Sequence, residues 1–193
     1  MPDPSRNDPP RPDPARPGRG ATRARLAEIL RVDHAGELAA VHIYRGQQAV
    51  FAAAGNDQLG AAFASLRQQE AEHLKAFDEL LAERGVRPSL FTPFWRVAAF
   101  ALGAGTALLG EKAAHACTDA VEEVIGEHYA GQVLELKDRE PELAERLCAF
   151  RDEELKHQAD AVSEGAREAP GYGPLSSMIK AGCRAAIRTA EKL

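Results

Sequence analysis

The sequence predicts an all-α protein: a bundle of four long helices, with an apolar helix between the second and third and a short helix at the C-terminal end. Three observations carry that expectation. Beyond residue 17 the only prolines are Pro88, Pro93, Pro141, Pro170 and Pro174, which leaves proline-free stretches of about Gly18 to Arg87 and Phe94 to Glu140. Helix interiors can run unbroken there. Ala, Leu, Glu, Arg and Gln, all good helix formers, dominate both stretches, and their apolar residues recur at intervals of three and four rather than two.

Taken in order, the first helix is expected from about Ala21 to Ala54, ended by the Gly55-Asn56-Asp57 turn, and the second runs on to about Arg84. The third spans about Lys112 to Lys137. The fourth runs from Pro141, a residue suited to a first helical turn, to about Gly165. A shorter amphipathic helix from about Leu175 to Glu191 ends the chain. Residues 1–20 read as a disordered tail, because the first seventeen hold seven of the twelve prolines together with Asp3, Asp8 and Asp13 and bury almost nothing apolar. The remainder, 21–193, is one domain, since 193 residues are too few for two of ordinary size. Between the second and third helices lies FTPFWRVAAFALGAGTALLG, Phe91 to Gly110, whose only charge is Arg96. Its length would permit a membrane span. A span would place the first two helices and the last two on opposite sides of a bilayer, so the segment reads instead as a helix in the membrane interface or over the bundle.

Composition removes some function classes. A net charge of -5 without a long basic run gives no electrostatic reason to bind nucleic acid. Cys117, Cys148 and Cys183 are widely spaced, odd in number and contain no C-x-x-C, so they suggest core packing rather than a disulfide framework or zinc site. No apolar leader follows the start, and the prolines and acids fit a transit peptide badly. With the Ala- and Arg-rich composition, this points to a bacterial protein.

An internal repeat carries the chemistry. DHAGELAAVHIYRGQ around Glu37 recurs 85 residues later as DAVEEVIGEHYAGQ around Glu122, which pairs Tyr44 with Tyr129, Gly46 with Gly131 and Gln47 with Gln132. RQQEAEH (Arg67 to His73) recurs as RDEELKH (Arg151 to His157), so duplication of a helix pair, about 23–84 and 112–165, is the economical explanation. Residues i and i+3 share a helix face, so Glu70 with His73 and Glu154 with His157 each aim a carboxylate and an imidazole the same way. The flanking residues Phe63, Leu66, Phe77, Leu80, Leu147 and Phe150 are apolar, which turns those faces, and with them Glu37 and Glu122, into the core. Four carboxylates gathered in a core repel one another and lose hydration unless cations lie between them.

One Glu from each of two helices and Glu-x-x-His from each of the other two is the pattern of ferritin-like di-iron and di-manganese bundles. Mixed carboxylate and imidazole ligation that leaves coordination positions open favours iron or manganese, and two irons are expected here. Chance alone supplies about 0.6 Glu-x-x-His matches in a chain with 19 Glu and 6 His, so a single match would mean little. Two matches in a duplicated context mean more.

The strings RVDHAGE, EAEHLKAF, FALGAGTALLGEKAAHACTDAVEEVIGEHY, FRDEELKH and IKAGCRAAI resemble the 5-demethoxyubiquinone hydroxylase family of ubiquinone biosynthesis, from about Arg25 to Leu193. The resemblance implies a ferritin-like monooxygenase that hydroxylates a demethoxy-quinone or quinol ring with dioxygen and electrons ultimately from NADH. It implies iron ligands at Glu37, Glu70, His73, Glu122, Glu154 and His157, the six that the repeat selects. It also implies a prenylated quinone substrate and peripheral attachment, here to the cytoplasmic face of a bacterial inner membrane through about Phe91 to Gly110. A lipid-binding partner protein of the same pathway and a homo-oligomer are compatible with it.

Further expectations concern single residues. Glu153, next to Glu154, is placed to orient His73, and His34 sits one turn before Glu37 and could steady it. His128 and Tyr129 have two readings, delivery of protons or electrons to quinone and metals or satisfied polar tips in a core. Gly126, a costly residue in a helix interior, suggests a close approach and a cavity mouth one turn beyond Glu122. His42 and His115 read as structural or surface residues. Two rival functions remain: a ferroxidase or iron-binding protein, which needs an assembled shell and hydrophilic paths, and a non-catalytic membrane-surface scaffold, which leaves the six inward ligands unused.

Overall fold

The computed structural model describes residues 19–192, with side chains from 23 to 191; the expected tail, up to residue 18, lies outside the described residues. Six helices follow: α1 (Arg19–Ala53), α2 (Asp57–Arg84), α3 (Thr92–Leu108), α4 (Glu111–Leu136), α5 (Pro141–Ser163) and α6 (Tyr172–Lys192), with a short 3-10 turn at Ala166–Glu168. There is no strand among the described residues, so the expected all-α class is observed.

Local chemistry sets the helix ends. Asn56 caps α2 by accepting from Leu59 N at 3.1 Å, and Gly85 closes it in the left-handed region at φ 63°, which only glycine enters without strain. Pro141 occupies the first turn of α5, where its missing N–H costs nothing. For the same reason α6 takes in Pro174 and begins at Tyr172 rather than at the expected Leu175.

α1 and α2 pair as one hairpin, α4 and α5 as the other, and the two halves of the repeat close into a four-helix bundle. Apolar packing fills both ends of it. Ile29, Leu30, Phe77, Leu81, Leu143 and Leu147 form one cluster, and Ala40, Phe51, Phe63 and Ala114 belong to another. α6 lies against α4 through Ile179 and Leu175. Cys117 is free and buried, and burial pushes its thiol up to about 12, so it behaves as an apolar packing residue.

The run from Phe91 to Gly110 becomes α3, laid across α1 with backbone against backbone. A Cβ on Gly103 would stand 2.0 Å from Ile43 O, and one on Gly46 2.4 Å from Phe100 O. The close approach is therefore here and not at Gly126, where a Cβ would meet only Leu155 Cδ2 at 3.8 Å. No described helix is long and apolar enough to cross a membrane. The outer face of α3 and its ends nevertheless present Leu90, Phe91, Phe94, Val97, Leu108 and Leu109 to the outside.

Candidate metal centre

All six expected ligands meet inside the bundle, each exposed by 3% or less: Glu37 from α1, Glu70 and His73 from α2, Glu122 from α4, Glu154 and His157 from α5. Their ligand atoms form two overlapping groups, Glu37-Glu70-His73-Glu154 and Glu70-Glu122-Glu154-His157, each with its atoms within 4.8 Å of one another. Glu70 and Glu154 belong to both groups, whereas Glu37 and Glu122 each belong to one. His73 Nδ1 stands 3.1 Å from Glu154 and 3.6 Å from Glu37 and Glu70; His157 Nδ1 stands 3.1 Å from Glu70 and 3.3 Å from Glu154.

The outer edges of both imidazoles are held by hydrogen bonds. His73 Nε2 donates to Glu153 Oε2 at 2.9 Å and His157 Nε2 donates to Gln69 Oε1 at 3.1 Å, which turns both Nδ1 atoms toward the carboxylates. Metal-bound histidines are commonly oriented in this way. The terminal carboxylates are braced across the repeat: Tyr44 of the first half donates to Glu122 Oε1, and Tyr129 of the second donates to Glu37 Oε1. In each carboxylate the other oxygen is left over.

Those leftover atoms show that the residues fit a pair of cations. Glu37 Oε2 and Glu122 Oε2 are buried without a hydrogen-bond partner among the described residues, while Glu154 Oε1 and Glu70 Oε1 have only the imidazole Nδ1 atoms of His73 and His157, each at 3.1 Å, beside them. Buried polar atoms are rarely left unpaired, and these face one another. Burial, reinforced by the charges of Glu154 and Glu70, drives Glu37 and Glu122 well above the usual carboxylate range. Burial opposes charge on His157 and His73, yet the carboxylates around them prevail, lifting His157 to about 9 and His73 further. For Glu154 burial acts upward, and the hydrogen bonds from His157 and His73 outweigh it, giving about 2. Burial thus favours the protonated forms of Glu37 and Glu122; two divalent cations would balance four carboxylates and release those protons.

Two small apolar cavities of about 80 and 20 Å3 share Val32, Gly36, Ile125 and Ile187 and so form one slot between α1, α4 and α6. Trp95 lines one end, and Glu37, His128 and Tyr129 line the other.

The family model described as "Ubiquinone biosynthesis protein COQ7" matches residues 24–190. The chain belongs to this family. It is 48% identical over 176 residues to the 3-demethoxyubiquinol 3-hydroxylase of Rhodospirillum rubrum, covering 91% of this chain and 82% of that protein. Identity to the human mitochondrial NADPH-dependent 3-demethoxyubiquinone 3-hydroxylase is 47% over 176 residues, 89% of this chain and 80% of the other. To the mitochondrial 5-demethoxyubiquinone hydroxylase of Saccharomyces cerevisiae it is 40% over 188 residues, 90% and 80%. The human relative's name specifies NADPH, against the expectation of NADH for this chain.

Within this COQ7-family chain the remaining expected residues separate. Tyr129 touches Glu37 directly, whereas His128, in the slot, meets Gln132 Nε2 at 2.8 Å and Asp33 Oδ1 at 3.6 Å. His34 does not steady Glu37: its Nε2 pairs with Asp78 Oδ1 at 3.0 Å, tying α1 to α2, and it bonds none of the six among the described residues. Sequence reading gave no role to Tyr44, Gln69, Asp33 or Gln132, although the repeat held a signal for three of them. Tyr44 matches Tyr129, Gln69 matches Glu153, and Gln132 matches Gln47. Asp33, which accepts from Gln132 at 2.7 Å, had none.

Proposed function

We propose that this chain hydroxylates the ring of a demethoxyubiquinone-type quinone or quinol, using dioxygen, two irons and reducing equivalents from a reduced nicotinamide. The names of its relatives support the substrate and the hydroxylation. The observation that carries the reading is the apolar slot that ends on Glu37 and Tyr129 at the six-residue centre. An iron store or a scaffold has no use for such a path.

Glu37, Glu70, His73, Glu122, Glu154 and His157 would hold the irons, Glu70 and Glu154 being the two residues common to both groups. When bound, such a pair supplies electrons and open coordination positions for dioxygen. The protein's part is orientation. Tyr129 and Tyr44 each fix one oxygen of a terminal carboxylate and leave the other for metal. Val32, Ile125 and Ile187 exclude water along the slot and offer an isoprenoid tail an apolar lining. At about 80 and 20 Å3 the slot is smaller than a substituted quinone ring, so admission requires side chains such as Ile125 and Ile187 to change rotamer. His128, with its ring in the slot and backed by Asp33 and Gln132, is the group placed to exchange a proton with a ring oxygen.

The substrate partitions into lipid, and the slot's other end lies at Trp95, on the same helix as the outward-facing Phe94 and Val97. α3 would therefore dock on the bilayer surface with the mouth beside it, in a bacterium the cytoplasmic face of the inner membrane. Each large apolar side chain so buried contributes roughly 1.5–3 kcal/mol, enough in combination for reversible attachment.

The test is oxygen-dependent formation of hydroxylated quinone by reduced, iron-loaded protein, driven in parallel by NADH and NADPH systems. Glu37→Ala and Glu122→Ala should abolish turnover and lower bound iron below two per chain while leaving an α-helical protein. Hydroxylation by metal-stripped protein, or full iron content in both variants, would refute the assignment.

A further inference from the structure

A third group of potential ligands stands apart from the six. Glu111, His115 and Glu164 each offer one ligand atom within 4.8 Å of the others. Glu111 and His115 are four residues apart near the start of α4 and so share a face, while Glu164 is the residue that caps the C-terminal end of α5. The glutamates are exposed, but His115 is only 6% exposed, its ring against Phe63 with centroids 5.2 Å apart. His115 Nε2 is buried and has no hydrogen-bond partner among the described residues. Lys112, beside Glu111 in the chain, is drawn instead to Glu168 at 2.5 Å.

These three residues line a cavity of about 490 Å3 whose wall also carries Asp160 and no lysine or arginine. It reaches His157 and Gln69, and therefore the outer edge of the imidazole whose Nδ1 faces the dinuclear centre. Burial keeps His115 below the usual histidine range even with Glu164 and Glu111 pulling the other way, so at neutral pH the ring is uncharged and has a lone pair to give. One neutral imidazole and two carboxylates, with room in the cavity for water ligands, suit a borderline divalent ion. Iron(II), cobalt(II) or zinc should bind in preference to calcium or magnesium, which take oxygen ligands.

We propose that Glu111, His115 and Glu164 form a third divalent-cation site, separate from the six-residue centre and opening into the cavity behind His157. It does not rest on the hydroxylase reading.

Metal-stripped full-length protein titrated with cobalt(II) at pH 7, followed by equilibrium dialysis and visible absorption, tests it. Wild-type protein should bind one equivalent more than His115→Gln. Glu164→Gln, a change at an exposed position that leaves the core alone, should weaken that same equivalent at least tenfold, because even residues that only support a metal ligand change affinity by about 10- to 100-fold. Equal stoichiometry in wild type and His115→Gln, or an unchanged extra equivalent in Glu164→Gln, overturns the site. Glu37→Ala keeps the two readings distinguishable: it should reduce binding at the centre and leave the His115-dependent equivalent in place.

Discussion

Replacing Gly103 with alanine tests the packing that sets α3 beside the slot. The added Cβ would meet Ile43 O at 2.0 Å and Ile43 C at 2.7 Å, and both are backbone atoms that cannot rotate aside. Restoring ordinary contact at 3.4 Å requires α3 to lift from α1 by about 1.4 Å. Overpacking of this kind costs about 1–3 kcal/mol, against which alanine recovers up to about 1 kcal/mol of helix propensity. With about 1 kcal/mol recovered, a net loss of up to about 2 kcal/mol follows, or up to roughly 8 °C in Tm for a domain of this size. Gly126→Ala supplies the control. Its Cβ would meet nothing nearer than 3.8 Å, so the propensity gain of roughly 0.5–1 kcal/mol stands alone and Tm should rise by roughly 1–4 °C. Thermal and urea unfolding followed by circular dichroism compare the two directly. If Gly103→Ala proves as stable as Gly126→Ala, α3 does not meet α1 backbone to backbone.

Three other outcomes follow from the site. His157, held up at about 9 against an ordinary 6.5, stabilises the chelated protein fully below pH 6.5, and that stability is lost as pH rises through about 9. The raised Glu37 and Glu122 act in the same sense, so chelated protein should melt lower at pH 9 than at pH 6.5 while metal-loaded protein does not; a chelated Tm that rises over that range would contradict the cluster's electrostatics. Glu153→Gln gives His73 the amide partner that His157 already has in Gln69, and metal affinity should fall about 10- to 100-fold; unchanged affinity would make Glu153 an ordinary surface residue. Changing Phe94 and Trp95 together to serine should release protein from liposomes and slow turnover of long-tailed quinone far more than that of a short-tailed analogue, whereas equal losses with liposome binding intact would leave α3 as a cover only.

What was legible in the sequence was whatever depends on spacing along one helix. Glu70 with His73 and Glu154 with His157 could be placed from the i, i+3 rule, and duplication paired Glu37 with Glu122. Contacts between helices were harder to read. Gly126 is an expensive residue in a helix interior, yet Gly46 and Gly103 are the helix glycines that a close approach compels, which shows only once α1 and α3 are known to cross there. His34 lies one turn from Glu37, yet helical rotation and the neighbouring α2 deliver it to Asp78. His115 read as a structural or surface residue because its companion Glu164 arrives from the far end of another helix. Glu153 was within reach of reasoning because it neighbours a ligand; its counterpart Gln69, holding His157, lacks the charge that would have marked it.

The duplication yields two half-sites with matching Glu and His side chains but different surroundings. On the His73 half, Glu37 and Tyr129 close an apolar slot, and the imidazole is backed by a carboxylate, Glu153. On the His157 half, the imidazole is backed by a neutral amide, Gln69, and behind that pair opens the larger cavity edged by Glu111, Asp160 and Glu164. An anionic partner makes an imidazole a stronger donor than a neutral one does. The His73 half would therefore hold a metal more firmly, while the His157 half adjoins the larger, polar-edged cavity. Since Tyr44 and Tyr129 each cross to the carboxylate of the other repeat, neither half-site is complete until both helix pairs have docked. Closing the bundle and gathering the six side chains are then one event, with small apolar cavities on the Glu37 side and a larger, polar-edged cavity on the His157 side.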